Sequence, residues 1–348
     1  MTSGIRFTRE GRLGIVTLDR QSALNALTRR MVQSLSLHLA EWKDDPGVGA
    51  VLVRAAPGRA FCAGGDIRHA AESARDEGVE EAVPFFRDEY RMNWRIKNFP
   101  KPYIALLDGI TMGGGVGISV HGSDRIVTEN TMFAMPETGI GFFPDVGGTY
   151  FLPRAPGAVG TWLGLTGSRL GAADCIEAGI GTAFVPADRL EALAHRLAET
   201  GDRGAIAEFA GRPEGGTLAK LRPAVDRCFG GNDVHSVLVA LAAEGGEFAA
   251  EQGAALATKS PLAVHVTFEQ LRRGRDLDFA QCMQLEYRLV HRMLVAGDFI
   301  EGVRALIIDK DKRPRWRHPD LDAVPAAEVQ ACFAPLAGGD LPLDWDGL

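Results

Sequence analysis

Two acids, Glu137 and Asp145, stand in one segment crowded with prolines and glycines: Pro136, Gly139, Gly141, Pro144, Gly147 and Gly148. Each acid follows a proline, and the neighbouring residues Ile140, Phe142, Phe143 and Val146 are apolar. Such a loop can be stiff and can hold both carboxylates in one pocket. Acids in apolar surroundings are rarely buried without a purpose. Paired in one pocket, they suit proton transfer or the activation of water. The competing reading assigns them to helix capping or to an ion pair with Arg154.

Two glycine-rich stretches could supply the complementary chemistry. Gly113, Gly114, Gly115 and Gly117 follow the apolar run Tyr103 to Leu107. A strand, a glycine turn and a helix start leave backbone N–H groups free to meet a developing oxyanion. The run is neither a dinucleotide fingerprint nor a Walker A loop, because G-x-G-x-x-G spacing and a following Gly-Lys-Ser/Thr are both missing. Close helix packing is the plain alternative. The second stretch is Phe61 to Ile67, where Ala63, Gly64 and Gly65 would let a ligand approach the backbone; an ordinary tight turn is the alternative there. Glu89 lies among Phe85, Phe86, Tyr90 and Trp94 at helical spacing, which can turn it inward. A Cys62 nucleophile would need an activating base, and no histidine near it in sequence provides one. His121 reads as structural. The charged stretches Asp309 to Lys312 and Arg313 to Arg317 read as a solvated turn that could also help hold an anionic ligand.

The elements that must position these residues alternate between strand and helix, which indicates an α/β fold. Ile5 to Thr8 and Leu13 to Leu18 form a hairpin at Gly11. Thr28 caps a helix whose Met31, Leu35, Leu39 and Trp42 recur on one face. Val48 to Val53 is a strand buried on both faces. Asp66 to Asn98 is helical in two pieces broken near Gly78. Tyr103 to Leu107, Arg125 to Thr128, Thr131 to Met135 and Thr182 to Val185 are short strands, and a helix begins at Asp188. After Gly201 strand signals vanish. The expected organisation is a core over 1–211, a helical region over 212–325, and a loosely packed tail over 326–348.

At 348 residues with 46% apolar and 24% charged residues, the chain suits a globular enzyme. A net charge of −7 gives no general basic field for nucleic acid. Five dispersed cysteines without a C-x-x-C pair argue against a disulfide framework or a zinc site. No apolar run long enough to span a membrane and no apolar leader is visible, so a cytoplasmic protein is expected.

Several stretches together resemble the crotonase (enoyl-CoA hydratase/isomerase) superfamily. They are FCAGGDIR from Phe61, ITMGGGVGISVHG from Ile110, FAMPETGIGFFPDVGG from Phe133, YFLPR from Tyr150 and LTG from Leu165. The late segment GDFIEGVRALIIDKDKRPRW from Gly297 is most similar to the branch that hydrolyses 3-hydroxyisobutyryl-CoA in valine breakdown. The resemblance runs from about Ile5 to about Pro325. It implies a spiral of β-β-α turns with a helical C-terminal region, and a coenzyme A thioester as substrate. It also implies that the Gly65 and Gly114 N–H groups hold the thioester oxygen. Glu89, Gly114, Glu137 and Asp145 match the family's binding positions, with Ala63 and Asp66 beside them. Hydratases of the superfamily carry two catalytic glutamates; here Glu137 matches one, while the other position is Gly117. That departure favours thioester hydrolysis, with Glu137 as base or nucleophile and Asp145 handling water or a proton. A lyase using Glu137 and Asp145, or a non-catalytic acyl-CoA-binding protein, are the alternatives. Neither metal nor separate cofactor is expected, and self-association into a homo-oligomer is open.

Overall fold

The computed structural model describes residues 4–345; the ends of the expected core and tail, 1–3 and 346–348, lie outside them. Strands β1 (Ile5–Glu10) and β2 (Leu13–Leu18) pair antiparallel as the hairpin. Helix α1 (Arg29–Asp44) starts at Thr28, whose side chain accepts from the Met31 N–H. It leads to β3 (Ala50–Ala55), which lies parallel to β2. A short strand β4 (Ala60–Cys62) follows, then α2 (Ile67–Asp76) and α3 (Val79–Lys97), separated at Gly78. The pattern repeats. Strand β5 (Tyr103–Leu107) is followed by short β6 (Ile110–Met112) and the single turn α4 (Gly114–Gly117). Then come β7 (Asp124–Val127), short β8 (Met132–Ala134) and finally β9 (Ala183–Phe184).

The long strands form one sheet in the order β1-β2-β3-β5-β7-β9, and the short ones a second, β4-β6-β8. Each turn of the chain thus adds one strand to each sheet and then a helix, which is the β-β-α spiral. Side-chain alternation places Val51 and Val53 on one face of β3 and Ala50 and Leu52 on the other. The second face is closed by Leu193 and Leu197 of the Leu190–Thr200 helix. The sequence reading missed β4 and β6, because three residues are too few to show a period of two and neither sits in a longer apolar run of the kind that reveals β8. These two strands carry the glycine stretches at their ends. The β4–β6 register is irregular between Ala60 and Cys62, immediately before Ala63.

From Leu218 to Val303 the chain is helical, and its apolar faces join the hydrophobic cluster that begins at Ile5. The tail departs from the expected loose extension. Val329, Cys332, Phe333 and Leu341 are buried. Arg95, fully enclosed, donates to the Asp344 and Trp345 carbonyls, and Arg91 pairs with Asp344. A few spaced apolar residues and two buried guanidiniums pin a segment whose composition suggests looseness. Among the described residues no helix is long and apolar enough to cross a membrane.

Candidate active site

A cleft of about 360 Å³ opens where the ends of β4 and β6 meet the C-terminal helices. Its polar wall holds Gly65, Gly114, Glu89, Glu137 and Asp145, and Ala63 lines it too. The apolar wall is aromatic: Phe86 packs on Phe142 at 5.4 Å, and Phe142 on Phe299 at 5.0 Å. Leu306 and Ile307 close the mouth.

The first glycine stretch is shaped from a distance. Leu24 and Asn25 both take left-handed backbone (φ 50° and 57°). The buried Asn25 amide donates to the Ala60 and Phe61 carbonyls, and the Ala63 N–H donates to Leu24. This fixes the exit of β4, so that Gly64 can turn at φ 128°. A Cβ on Gly114 would lie 3.1 Å from the Gly65 nitrogen and 2.6 Å from Glu89 Oε1. The two backbones therefore run side by side against Glu89. Neither the Gly65 nor the Gly114 N–H donates a hydrogen bond among the described residues. Gly114 is buried and Gly65 partly so, and two unpartnered N–H groups side by side are positioned to take one oxygen.

The acid loop faces these donors. A Cβ on Gly113 would meet Glu137 Oε1 at 3.1 Å. Glu137 and Asp145 are each only 6% exposed. Glu137 Oε2 and Glu89 Oε1 are buried without a hydrogen-bond partner. Asp145 accepts from the Tyr90 hydroxyl at 2.8 Å. Neither acid caps a helix. Arg154 is engaged elsewhere, stacked on Tyr150 and donating to the Gly274 and Leu277 carbonyls. The two structural alternatives for these acids are thus not realised.

Beneath the loop, Val146 takes φ 50°, a conformation that costs a β-branched residue about 1–3 kcal/mol. Surrounding groups hold it there. His121 Nε2 bonds the Val146 carbonyl at 2.7 Å. Since a carbonyl only accepts, Nε2 carries the proton, and burial pulls the His121 pKa down to about 3, keeping the ring neutral. Gln270 donates to the Pro144 carbonyl and the Thr149 hydroxyl. Glu286 accepts from the Gly147 and Thr149 N–H groups at 2.8 and 2.9 Å. His121 is structural, as its position in the sequence suggests.

Burial dominates the electrostatics. It pushes Glu137 and Glu89 well above the ordinary carboxylate range, and the charge of Asp145 adds to both. Burial raises Asp145 to about 7, although the Tyr90 hydroxyl pulls it back. Burial and then Asp145 raise Glu286 to about 8. Lys259, the single cation lining the cleft among the described residues, opposes the shift at Glu137. These raised values make the folded chain hold protons that the unfolded chain has released. The stability from this source is complete below about pH 4 and is lost as pH rises through 7 and 8. Asp145→Asn removes part of it. Its stability relative to the wild type should therefore rise between pH 4 and pH 8 in denaturant titrations. A constant gap across that range would mean that Asp145 is not held protonated.

Other expected site residues fall differently. Asp66 turns away from the cleft, and its carboxylate pairs with Arg20 at 2.9 Å. Burial pushes the Cys62 thiol up to about 12, and its sulfur donates to the Asn25 carbonyl, so it is no nucleophile. In the charged late stretch, Asp309 and Asp311 converge with Glu301 on Arg304. Gly117 has no room for a side chain: a Cβ would lie 2.7 Å from Val146 Cβ and 2.8 Å from Asn93 Nδ2. The sequence reading named Tyr90 only as an aromatic neighbour of Glu89, and passed over Lys259, Gln270 and Glu286. Only Glu286 left a signal, as an acid set in the buried helical stripe of Phe279, Met283, Val290 and Met293.

The model of the enoyl-CoA hydratase/isomerase family matches residues 13–333. A relative named 3-hydroxyisobutyryl-CoA hydrolase, mitochondrial, from Xenopus laevis is 41% identical, covering 98% of this chain and 91% of its own. Its namesake from Homo sapiens is 39% identical, covering 96% and 89%. Among solved structures, a carnitinyl-CoA dehydratase from Mycobacterium thermoresistibile superposes with a TM-score of 0.94 at 40% identity over the whole of both chains. An enoyl-CoA hydratase from Rhodobacter sphaeroides gives 0.93 at 43% identity, covering 98% of this chain and all of the other. With its spiral of β-β-α turns, its paired glycine stretches and these likenesses over nearly its full length, the chain belongs to the enoyl-CoA hydratase/isomerase (crotonase) family.

Proposed function

We propose that the chain hydrolyses an acyl-CoA thioester, converting 3-hydroxyisobutyryl-CoA to 3-hydroxyisobutyrate and coenzyme A, a step of valine breakdown. The observation that carries this reading is Gly117. Addition of water to an enoyl-CoA in the two-glutamate manner needs a carboxylate at that position. Here there is none, and Val146 and Asn93 fill the space one would need. The curated vertebrate relatives bear the hydrolase name.

Hydrolysis needs only the groups present. The thioester oxygen accepts from the Gly65 and Gly114 N–H groups, each donor being worth roughly 2.7–4 kcal/mol at a developing oxyanion. Glu137, beside that oxygen, either removes a proton from water or attacks the carbonyl carbon. Direct attack forms a mixed anhydride and expels the coenzyme A thiolate; water then opens the anhydride. Either route consumes one water and yields the acid and the thiol. A thiol has a pKa of roughly 8.5, so its departure needs little help from an acid. Asp145, held by Tyr90, orients the water or passes the proton. Glu89, with an unpaired oxygen in the cleft, receives the substrate's hydroxyl. Lys259 favours the ionised Glu137 that both routes require.

The names of the two solved structures support a second reading, a lyase using Glu137 and Asp145 as its pair. Two assays separate the readings. Thiol trapping with 3-hydroxyisobutyryl-CoA should register free coenzyme A, and the absorbance of crotonyl-CoA should stay constant. Loss of the enoyl band without thiol release would replace hydrolase with lyase. The relatives' names assign those proteins to mitochondria. Five free, buried thiols support a reducing compartment for this chain, and we assign it to the cytoplasm.

A further inference from the structure

We infer that Glu286 is a positioning residue for the acid loop: it clamps the Asp145–Thr149 turn through two backbone N–H groups and so sets where the Asp145 carboxylate points. The inference rests on the hydrolase reading and extends it to a residue more than a hundred positions away, on the Phe279–Ala296 helix.

An acid fits that position poorly. Glu286 is fully buried in an apolar helical stripe. No ion pair to it is found among the described residues, and a charge so placed is costly unless its oxygens are satisfied. Both are satisfied, one by each amide: Oε2 by Gly147 and Oε1 by Thr149. The two donors converge from one turn. A carboxylate can accept both, whereas an amide has a single acceptor oxygen. Where the loop offers one carbonyl and one hydroxyl, the chain uses the amide of Gln270 instead. The choice of an acid at 286 follows from the two N–H groups.

The position of the clamp gives it a second consequence. Gly147 and Thr149 bracket the turn just after Asp145, and between Asp145 and Gly147 sits the left-handed Val146. Holding Gly147 from below therefore fixes where the Asp145 carboxylate points. The titratable groups that face Glu286 are Asp145 and Glu137 on the loop, Glu89 and Tyr90 on α3, and Cys282 on its own helix; His121, neutral, lies behind the loop. None of these is a cation. Burial among these groups raises Asp145 to about 7 and Glu286 to about 8, and the Asp145 charge adds to the rise at Glu286. The upper step, near 8, is the titration of Glu286 itself, raised first by burial and then by the Asp145 charge.

The test measures thiol release from 3-hydroxyisobutyryl-CoA between pH 5 and pH 9 for the wild type, Glu286→Gln and Glu286→Asp. Glu286→Gln should keep its circular dichroism and nearly its KM. Its kcat should fall by about a hundredfold, the scale of a small misplacement of a reacting group. The upper step should vanish from its pH–rate profile, leaving a single titration. A profile of unchanged shape, or an unchanged kcat, overturns the inference. Should Glu286→Gln fail to fold, Glu286→Asp carries the same test. Its carboxylate stays but sits one methylene away, so the upper step must persist at a displaced pH; a step at the wild-type position overturns the inference. If the wild type releases no thiol, the hydrolase reading fails on its own. The clamp is then read by amide hydrogen exchange, where protection of Gly147 and Thr149 must drop in Glu286→Gln, and retained protection overturns it.

Discussion

Glu137→Gln should leave the fold intact and lower the rate of thioester hydrolysis by about a hundredfold or more, within the 10²–10⁴ range of a general acid–base group. The amide keeps the size of the side chain, and Glu137 Oε2 has no protein hydrogen bond to lose. Stability and KM should therefore change much less than kcat. What disappears is the one carboxylate that lies both against the glycine run and within the influence of Lys259. Asp145→Asn should also lose rate. If both acids serve one step, the double substitution should cost far less than the sum of the two losses. The same position distinguishes base from nucleophile. If Glu137 attacks and water opens the anhydride at the enzyme's own carbonyl, repeated turnover in ¹⁸O water leaves label in the protein carboxylate. Label confined to the released acid excludes that route. Full activity in both single variants would place the chemistry on another loop.

Gly114→Val should abolish turnover. Backbone strain is not the cause, since Gly114 is absent from the positions with positive φ. The cause is space. A Cβ would press on Glu89 Oε1 at 2.6 Å and on Gly65 N at 3.1 Å, between the two N–H groups where the proposed hydrolysis seats the thioester oxygen. Glu89 is the far end of a side chain and can swing away, so the fold should survive while the donor pair is blocked. Gly114→Ala tests the same contact more gently. A loss of about 10²–10³ in kcat is expected, the effect of removing one oxyanion donor. Steady-state kinetics beside a thermal melt measure both variants. A near-wild-type rate in Gly114→Ala would remove this N–H from the reaction.

Local pattern carried a large part of the fold and the outline of the site. Met31, Leu35, Leu39 and Trp42 mark the buried face of α1 because helical periodicity is a property of neighbours in the chain. The apolar run through β3 announces a strand covered on both sides for the same reason. Glycines and prolines constrain their own backbone, so the turns at Gly64 and Gly113 and the stiffness of the acid loop are legible where they stand. The three-residue strands β4 and β6 carry too little pattern to be seen and went unread, whereas β8, equally short, shows within the apolar run Thr131 to Met135.

Contacts between distant segments were decided by the tertiary structure alone. Tyr90 meets Asp145 across 55 positions, and Glu286 meets Gly147 across 139. Nothing in a local window encodes those distances. The same holds for Asp66, which sequence places beside the ligand and the fold turns toward Arg20. It holds also for the tail, whose proline- and glycine-rich composition conceals the anchoring of Asp344 and Trp345 on α3. Gly117 shows the division within one residue. The sequence by itself determines that the position has no carboxylate. Only the packing of Val146 and Asn93 against it decides that a carboxylate could not be accommodated, because excluded volume depends on what the folded chain brings alongside.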